Sequence, residues 1–266
     1  MPCPQVMGIL NVTPDSFSDG GAYLAEEHLL AQVTRMVEAG ADIIDVGGES
    51  TRPFAEPVSE AEELARVLPA LHCIRQVTDL PISIDTTKAE VARQALAAGA
   101  TMINDIAAFR QDEQMLDVAQ SCDCSVVVMH MQGTPGTMQK NPHYDDVIAE
   151  VCAFFEERLA WLERGGISRQ RVILDPGIGF GKALEHNLTI LANIGSFKHL
   201  GCPVLIGHSR KSFFEKLLGL PIEQRDWPTA VLSALCAGDG ADILRVHDVE
   251  KTVLALRLQQ AVRHSS

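Results

Sequence analysis

Short runs of β-branched and other apolar residues recur along the chain at intervals of roughly 20 to 45 residues. Each run is followed by polar loop residues and then by a stretch whose apolar positions fall three and four apart, the pattern of parallel βα units. Eight such runs predict strands at 6–12, 42–47, 82–85, 101–105, 125–130, 172–175, 204–207 and 243–247. Helical periodicity is plainest at 27–38, 59–77, 89–98, 145–164 and 250–262, with Gly40, Gly99, Gly165 and Gly240 as stop signals. The segments Ala39-Gly40-Ala41-Asp42, Ala98-Gly99-Ala100-Thr101 and Gly238-Asp239-Gly240-Ala241-Asp242 echo one another, each leading from a helix end into a strand.

A doubly wound open sheet also alternates strands and helices, so alternation alone does not choose between the two architectures. The placement of polar residues does. The predicted strands end in Asn11, Asp45, Asp85, Asn104-Asp105, His130, Asp175, His208-Ser209 and Arg245 to His247. In a closed barrel these ends converge on one rim, where barrel enzymes build their sites. The chain length of 266 residues suits one such barrel. The reading is therefore an α/β protein, a single (β/α)8 TIM barrel over residues 1–266, with long polar loops after strands one and two at 13–23 and 49–57. Loops of that length on a catalytic rim act as substrate lids, or else are bland connections.

Composition narrows the class further. Apolar residues make up 46% and charged residues 21%, ample for a buried core. A net charge of -13 with no run of Lys or Arg argues against a nucleic-acid partner, although a small anion needs only a few placed donors. Seven cysteines without framework or zinc spacing read as reduced thiols of a cytoplasmic protein, the Cys122-x-Cys124 pair included. No apolar stretch reaches the length of a membrane span, and Met1-Pro2-Cys3-Pro4 lacks the marks of a signal peptide.

Asp85, Asn104 and Asp175 close apolar strands, where a carboxylate or amide needs a partner. A heterocycle rich in N–H groups would satisfy them; the alternative is that each caps the following helix. Cationic groups gather at other strand ends: Arg52, Arg210, Lys211, Arg245 and His247. Such groups can hold a diphosphate, or pair with Glu49, Asp248 or Glu250. The segment from Asp175 to Lys182, Asp-Pro-Gly-Ile-Gly-Phe-Gly-Lys, permits close backbone approach to a flat ligand, with Phe180 able to meet an aromatic ring; it lacks phosphate-loop spacing.

With these residues in view the chain resembles the dihydropteroate synthase family from Met7 to about Thr252. The likeness is carried by 7–21, by Asp45 to Pro53, by Ser83-Ile84-Asp85-Thr86 and by Ile103-Asn104-Asp105. It continues through Met129 to Gly133, Leu174 to Lys182, Ser209-Arg210-Lys211-Ser212 and Arg245-Val246-His247-Asp248. The resemblance implies a transferase of folate biosynthesis that condenses 6-hydroxymethyl-7,8-dihydropterin diphosphate with 4-aminobenzoate, uses Mg2+, forms a homodimer and belongs to a sulfonamide target family. It assigns Asp85, Asn104, Asp175 and Lys211 to the pterin. It assigns Asn11, Thr51, Arg245 and His247 to the diphosphate, with Asn11 also the metal ligand. Thr51, Arg52, Phe180, Ser209 and Lys211 fall to the aminobenzoate side, and Asp85, Lys211 and the loop residue Asp19 to catalysis. A pterin-binding methyltransferase barrel and a non-catalytic pterin-binding protein are the rival readings; the first has no need of Arg52, Lys211 and the lid loops together, and the second leaves the convergent anion-binding groups unexplained.

Overall fold

The computed structural model describes residues 3–12, 22–50, 57–134, 136–138 and 141–263. Eight parallel strands follow one another: β1 (Gln5–Asn11), β2 (Ile43–Gly47), β3 (Ile82–Asp85), β4 (Met102–Asp105), β5 (Ser125–Met129), β6 (Val172–Asp175), β7 (Leu205–Ile206) and β8 (Ile243–Val246). The hydrogen-bonded order is β6-β5-β4-β3-β2-β1-β8-β7, and a parallel bridge from Leu174 to Val204, with Leu174 N donating to Pro203 O at 2.9 Å, brings β7 back to β6. That is a (β/α)8 barrel. The seventh strand is shorter than its sequence suggests, because only Leu205 and Ile206 pair with β8 while Val204 turns to close the ring on β6.

Around the strands lie α1 (Ala22–Ala39), α2 (Glu60–Val77), α3 (Ala89–Ala97), α4 (Met115–Gln120), α5 (Val147–Arg164), α6 (Leu184–Leu191), α7 (Phe213–Leu218), α8 (Asp226–Gly238) and α9 (Val249–Arg263). Local chemistry sets the helix starts. Ser59 and Glu62 form a reciprocal capping box on α2, and Asp146 accepts from Ile148 N and Ala149 N at the start of α5. The three echoing helix-to-strand turns share one geometry, with glycine φ of 94°, 102° and 103° at Gly40, Gly99 and Gly240. α1 begins five residues ahead of the periodic stretch that announces it.

Strand periodicity then decides what the barrel contains. Successive side chains point to opposite faces. The outward set, among them Val6, Leu10, Ile44, Val46, Ile84 and Val128, joins the helices in the main apolar cluster. The inward set begins with a dry layer of Met7, Ile43, Met102, Val127, Ile173, Leu205 and Ile243. Each of these buried side chains contributes about 1.5–3 kcal/mol. Two residues further along each strand the inward positions are Asp45, Asp85, Asn104, Asp175 and Arg245, all largely buried. The site is therefore the next storey of the barrel interior, resting on an apolar floor.

Candidate functional site

Arg245 on β8 is the hub of that storey. Its Nε donates to Asp45 Oδ2 at 2.7 Å and its Nη2 to Asp85 Oδ2 at 2.6 Å, while Asn104 Nδ2 donates to the other oxygen of Asp45 at 3.3 Å. Asp45, wholly buried, thus ties β2 to β4 and β8. Burial pushes the Asp85 carboxyl up to about 7; Arg245 opposes the rise, and Asp45, Glu63 and Asp105 reinforce it. One guanidinium shared between two buried acids does not neutralise both. Burial works against the Arg245 charge, but the Asp45 and Asp85 carboxylates outweigh it and hold the group firmly protonated.

Asp175 faces the same cup from β6. Its Oδ1 accepts from Gly177 N at 2.8 Å, and burial raises its carboxyl against the pull of that bond, Lys211, Arg245 and Lys182. None of the three site residues acts as a helix cap: Asp85 meets Arg245, Asn104 meets Asp45, and Asp175 closes a turn in its own loop. The neighbouring Asp105 is the one that organises backbone. It accepts from Ala107 N and Phe109 N at 2.7 Å each, and so holds Ala108 and Phe109 at φ of 53° and 62°. Burial lifts its carboxyl to about 6 despite those bonds.

The rim above is left open by small residues. A Cβ placed on Gly47 would lie 3.6 Å from Asp85 Cβ and 3.9 Å from Asn11 Oδ1, so Asn11 and Asp85 lean over the same glycine. A Cβ on Gly207 would lie 3.6 Å from Asp175 Oδ2. Asn11 itself is exposed at the mouth. After β7 and β8, Ser209 Oγ accepts from His247 N at 3.1 Å and sits 2.9 Å from His247 Nδ1, which joins a residue expected on the aminobenzoate side to one expected at the diphosphate. Arg210 is committed elsewhere, with Nε and Nη2 on the two oxygens of Asp226 at 2.6 and 2.9 Å.

The Gly-rich loop after β6 serves the protein before any ligand. At Gly177, φ is 69° and a Cβ would fall 2.0 Å from His130 O; at Gly181 it would fall 2.5 Å from Gln132 O. The glycines let this loop seat against the segment after β5. Phe180 is buried in a small cluster with Ile106, Met129, Met131 and Met138, and Lys211 Nζ stands 3.9 Å over its ring. Lys182 at the loop's end is only 2% exposed, with Nζ bonded to Phe180 O at 2.9 Å and to His130 Nδ1 at 3.0 Å. Burial pulls Lys182 down to about 7, while burial and the adjacent Lys182 charge pull His130 down to about 2. His130 is thus a neutral acceptor for the lysine.

The described structure therefore gathers Asp85, Asn104, Asp175, Arg245, Lys211, Phe180, Ser209, His247 and Asn11 at one mouth of the barrel. Asp19, Thr51 and Arg52 lie outside the described residues. Asp45 received no role from the sequence, although an aspartate inside the otherwise apolar Ile43-Ile44-Asp45-Val46 was its signal.

A barrel with a buried acid, amide and arginine storey beneath a rim of Asn, Ser, His and Lys belongs to the enzymes that take a flat, donor-rich heterocycle bearing an anionic group. Comparison with known proteins agrees: residues 7–247 match the family model for pterin binding enzymes. The dihydropteroate synthase of Escherichia coli (strain K12) is 47% identical over 258 residues, 97% of this chain and 91% of that one. The structure of Xanthomonas albilineans dihydropteroate synthase with 4-aminobenzoic acid superposes with a TM-score of 0.91 at 48% identity, covering 98% of this chain and 93% of that one. The same enzyme in complex with 7,8-dihydropteroate gives 0.88 at 46%, covering 98% and 94%. The chain belongs to the dihydropteroate synthase family.

Proposed function

We infer that this protein joins 6-hydroxymethyl-7,8-dihydropterin diphosphate to 4-aminobenzoate, releasing diphosphate and 7,8-dihydropteroate. The observation that carries the reading is the charge layout of the cup. Buried acids lie deep, with one guanidinium between them, and amide, hydroxyl, imidazole and ammonium groups stand at the rim.

The pterin enters with its N–H groups toward Asp85 and Asp175, and Asn104 both donates and accepts. Lys211, anchored over Phe180, borders the ring and the amine side. Breaking the C–O bond sends its electron pair to the diphosphate and leaves positive charge on the pterin methylene and ring. Asp85 and Asp175 stabilise that charge, while Arg245 and His247 face the departing anion. Asp45 keeps Arg245 and Asn104 in register for this. The amine lone pair then forms the new C–N bond and the nitrogen gives up a proton. Thr51, Arg52 and Ser209 position the amine substrate by its carboxylate, and Asp19 adds a carboxylate to the assembled site.

The donor set suits Mg2+ in one particular way. Asn11 offers a single neutral oxygen at the mouth, and no cluster of three or more His, Cys, Asp or Glu occurs among the described residues. A cation held there takes most of its ligands from substrate phosphate and water, as Mg2+ commonly does. Bound beside Asn11, Mg2+ would offset the charge of the leaving diphosphate.

The reading extends to assembly and compartment. Trp227, Val231 and Leu235 on α8 and Leu254, Leu258 and Val262 on α9 form two apolar stripes, each residue between 51% and 68% exposed, on helices that pack together. A homodimer through this face would bury them. Seven cysteines without a disulfide suit a reducing cytoplasm, and no described helix is long and apolar enough to cross a membrane.

The test is diphosphate release and dihydropteroate formation on mixing the purified protein with both substrates and Mg2+, with the amine or the metal left out as controls. Diphosphate release that ignores the amine, or no turnover at all with tight pterin binding, would refute the synthase reading.

A further inference from the structure

Lys88 lies three residues beyond Asp85 and reaches away from the cup. Its Nζ bridges two carboxylates, Glu49 Oε2 and Glu63 Oε2, the latter at 2.5 Å. Glu63 belongs to α2, is 1% exposed and has no partner for its other oxygen among the described residues. Glu49 stands two residues beyond the end of β2, where its Oε1 accepts from Val58 N at 3.4 Å. The two ends of the 49–58 segment are thus joined through one side chain. The junction is also fixed to α2. Arg66 Nη1 donates to Gly48 O at 2.8 Å, and a Cβ on Gly48 would fall 2.8 Å from Val67 Cγ1 and 3.0 Å from Glu63 Cγ. Gly48 is therefore packed against α2 with no room for a side chain.

We propose that Lys88 is a positioning residue for the amine substrate, acting through Glu49 and Glu63 to fix the stem of the segment that carries Thr51 and Arg52. The proposal rests on the assignment of those two residues to 4-aminobenzoate. Lys88 makes no contact with Asp85 itself; its charge faces Glu49 and Glu63. It also has an electrostatic duty, since Glu63 is one of the acids that press on Asp85. Burial alone would weaken the Lys88 charge, but the bonds to Glu49 and Glu63 more than restore it, so the ammonium persists at neutral pH.

The experiment compares steady-state kinetics of wild type, Lys88→Met, Lys88→Arg and Glu49→Ala, each varied in both substrates. In Lys88→Met the KM for 4-aminobenzoate should rise by about tenfold or more while the KM for the dihydropterin diphosphate stays within about twofold, the sign of binding lost on one side only. Lys88→Arg should recover most of that loss, and Glu49→Ala should reproduce it with Glu63 and α2 untouched. Unchanged amine KM in a folded Lys88→Met overturns the proposal, as does a parallel rise in both KM values. If Lys88→Met does not fold, Glu49→Ala decides alone by the same split. Failure of the synthase reading looks different: wild type itself then forms no dihydropteroate.

Discussion

Asp85 and Arg245 stand 160 positions apart in the chain and 2.6 Å apart at the barrel mouth, Arg245 Nη2 donating to Asp85 Oδ2. The pair sets the strength of the cup's acid side, because the guanidinium is shared with Asp45. Replacing Asp85 by Asn keeps the shape and removes the charge that, in the proposed mechanism, faces the developing cation. Turnover should fall by roughly 10²–10³, the usual size of one lost electrostatic contact to a transition state. The melting temperature should hold, because Asp45 still pairs with Arg245. Wild-type kcat in this variant would remove Asp85 from the mechanism.

The same carboxyl predicts how pterin binding responds to pH. Burial lifts it to about 7, so near neutrality a large part of the protein carries Asp85 protonated. A ligand that offers N–H donors selects the ionised form and must expel that proton. Affinity should therefore weaken as pH falls below about 7, by up to about tenfold per pH unit, and hold steady above it. Calorimetric titration of a pterin between pH 6 and pH 8.5, repeated in two buffers of different ionisation enthalpy, reads both the affinity and the proton release. A flat profile with no buffer dependence would show Asp85 already ionised.

Most of the fold was legible because the barrel writes its strands as short apolar runs and ends them in polar residues. β3 and β6 fall where the pattern puts them, and the other strands shift by one residue at one or both ends. The helices that periodicity does not mark fail for identifiable reasons. α4 and α7 are six residues long and α6 eight, too short to display a period, and α8 is apolar on both sides, with Ala230 and Cys236 buried and Val231 and Leu235 exposed. The residues gathered at the barrel mouth were legible where a polar group ends an apolar strand. Asp45 stands among those strand ends, but its part in holding Arg245 and Asn104 was not legible, because these partners lie on β8 and β4, remote in sequence. The packing role of Gly177 and Gly181 in the loop after β6 was not legible for the same cause: the atoms they make room for, His130 O and Gln132 O, belong to another loop.

Gly177 therefore offers a stability test distinct from ligand binding. Any Cβ there meets His130 O at 2.0 Å with φ at 69°, and backbone cannot move aside cheaply. Gly177→Ala should destabilise the fold by about 3 kcal/mol or more, strain and displacement together. Urea denaturation followed by far-ultraviolet circular dichroism measures the loss. Ala at Gly201, where a Cβ meets no atom of the described residues within 4 Å though φ is also positive at 74°, controls for strain alone. Equal effects at the two positions would contradict the close-approach argument.

His208 is fully buried after β7, with Nε2 donating to Thr229 O at 3.1 Å. Burial lowers its pKa from 6.5 to about 4, with backbone bonds resisting the fall. Between those values the unfolded chain binds more protons than the folded one, so stability present above pH 6.5 is lost as pH falls through about 4. Between pH 7 and pH 5 this one group should contribute a loss of roughly 2 kcal/mol. His208→Gln can keep the bond to Thr229 while removing the titration, so its stability should change less over that interval. Parallel denaturation curves for the two proteins at pH 5 and pH 7 would rule the histidine out as the source.

The stripes on α8 and α9 predict the assembly state. Trp227, Val231 and Leu235 are spaced by four, as are Leu254, Leu258 and Val262, so each triplet lies along one line of its helix. Two copies related by a twofold axis would lay these lines against each other and bury roughly 800 Å² per copy, the standard size of a stable interface. A charge at the centre of that contact is desolvated without a partner, so Leu258→Arg should cost about 2 kcal/mol or more of association free energy. Sedimentation velocity should give a dimer mass for the wild type at micromolar concentration and a monomer for Leu258→Arg. Because Leu258 is exposed rather than packed in the barrel wall, the variant's melting temperature at high dilution should match that of the wild type. A wild-type protein that sediments as a monomer at every concentration would exclude the dimer, and a dimer that survives Leu258→Arg would place the interface on another face.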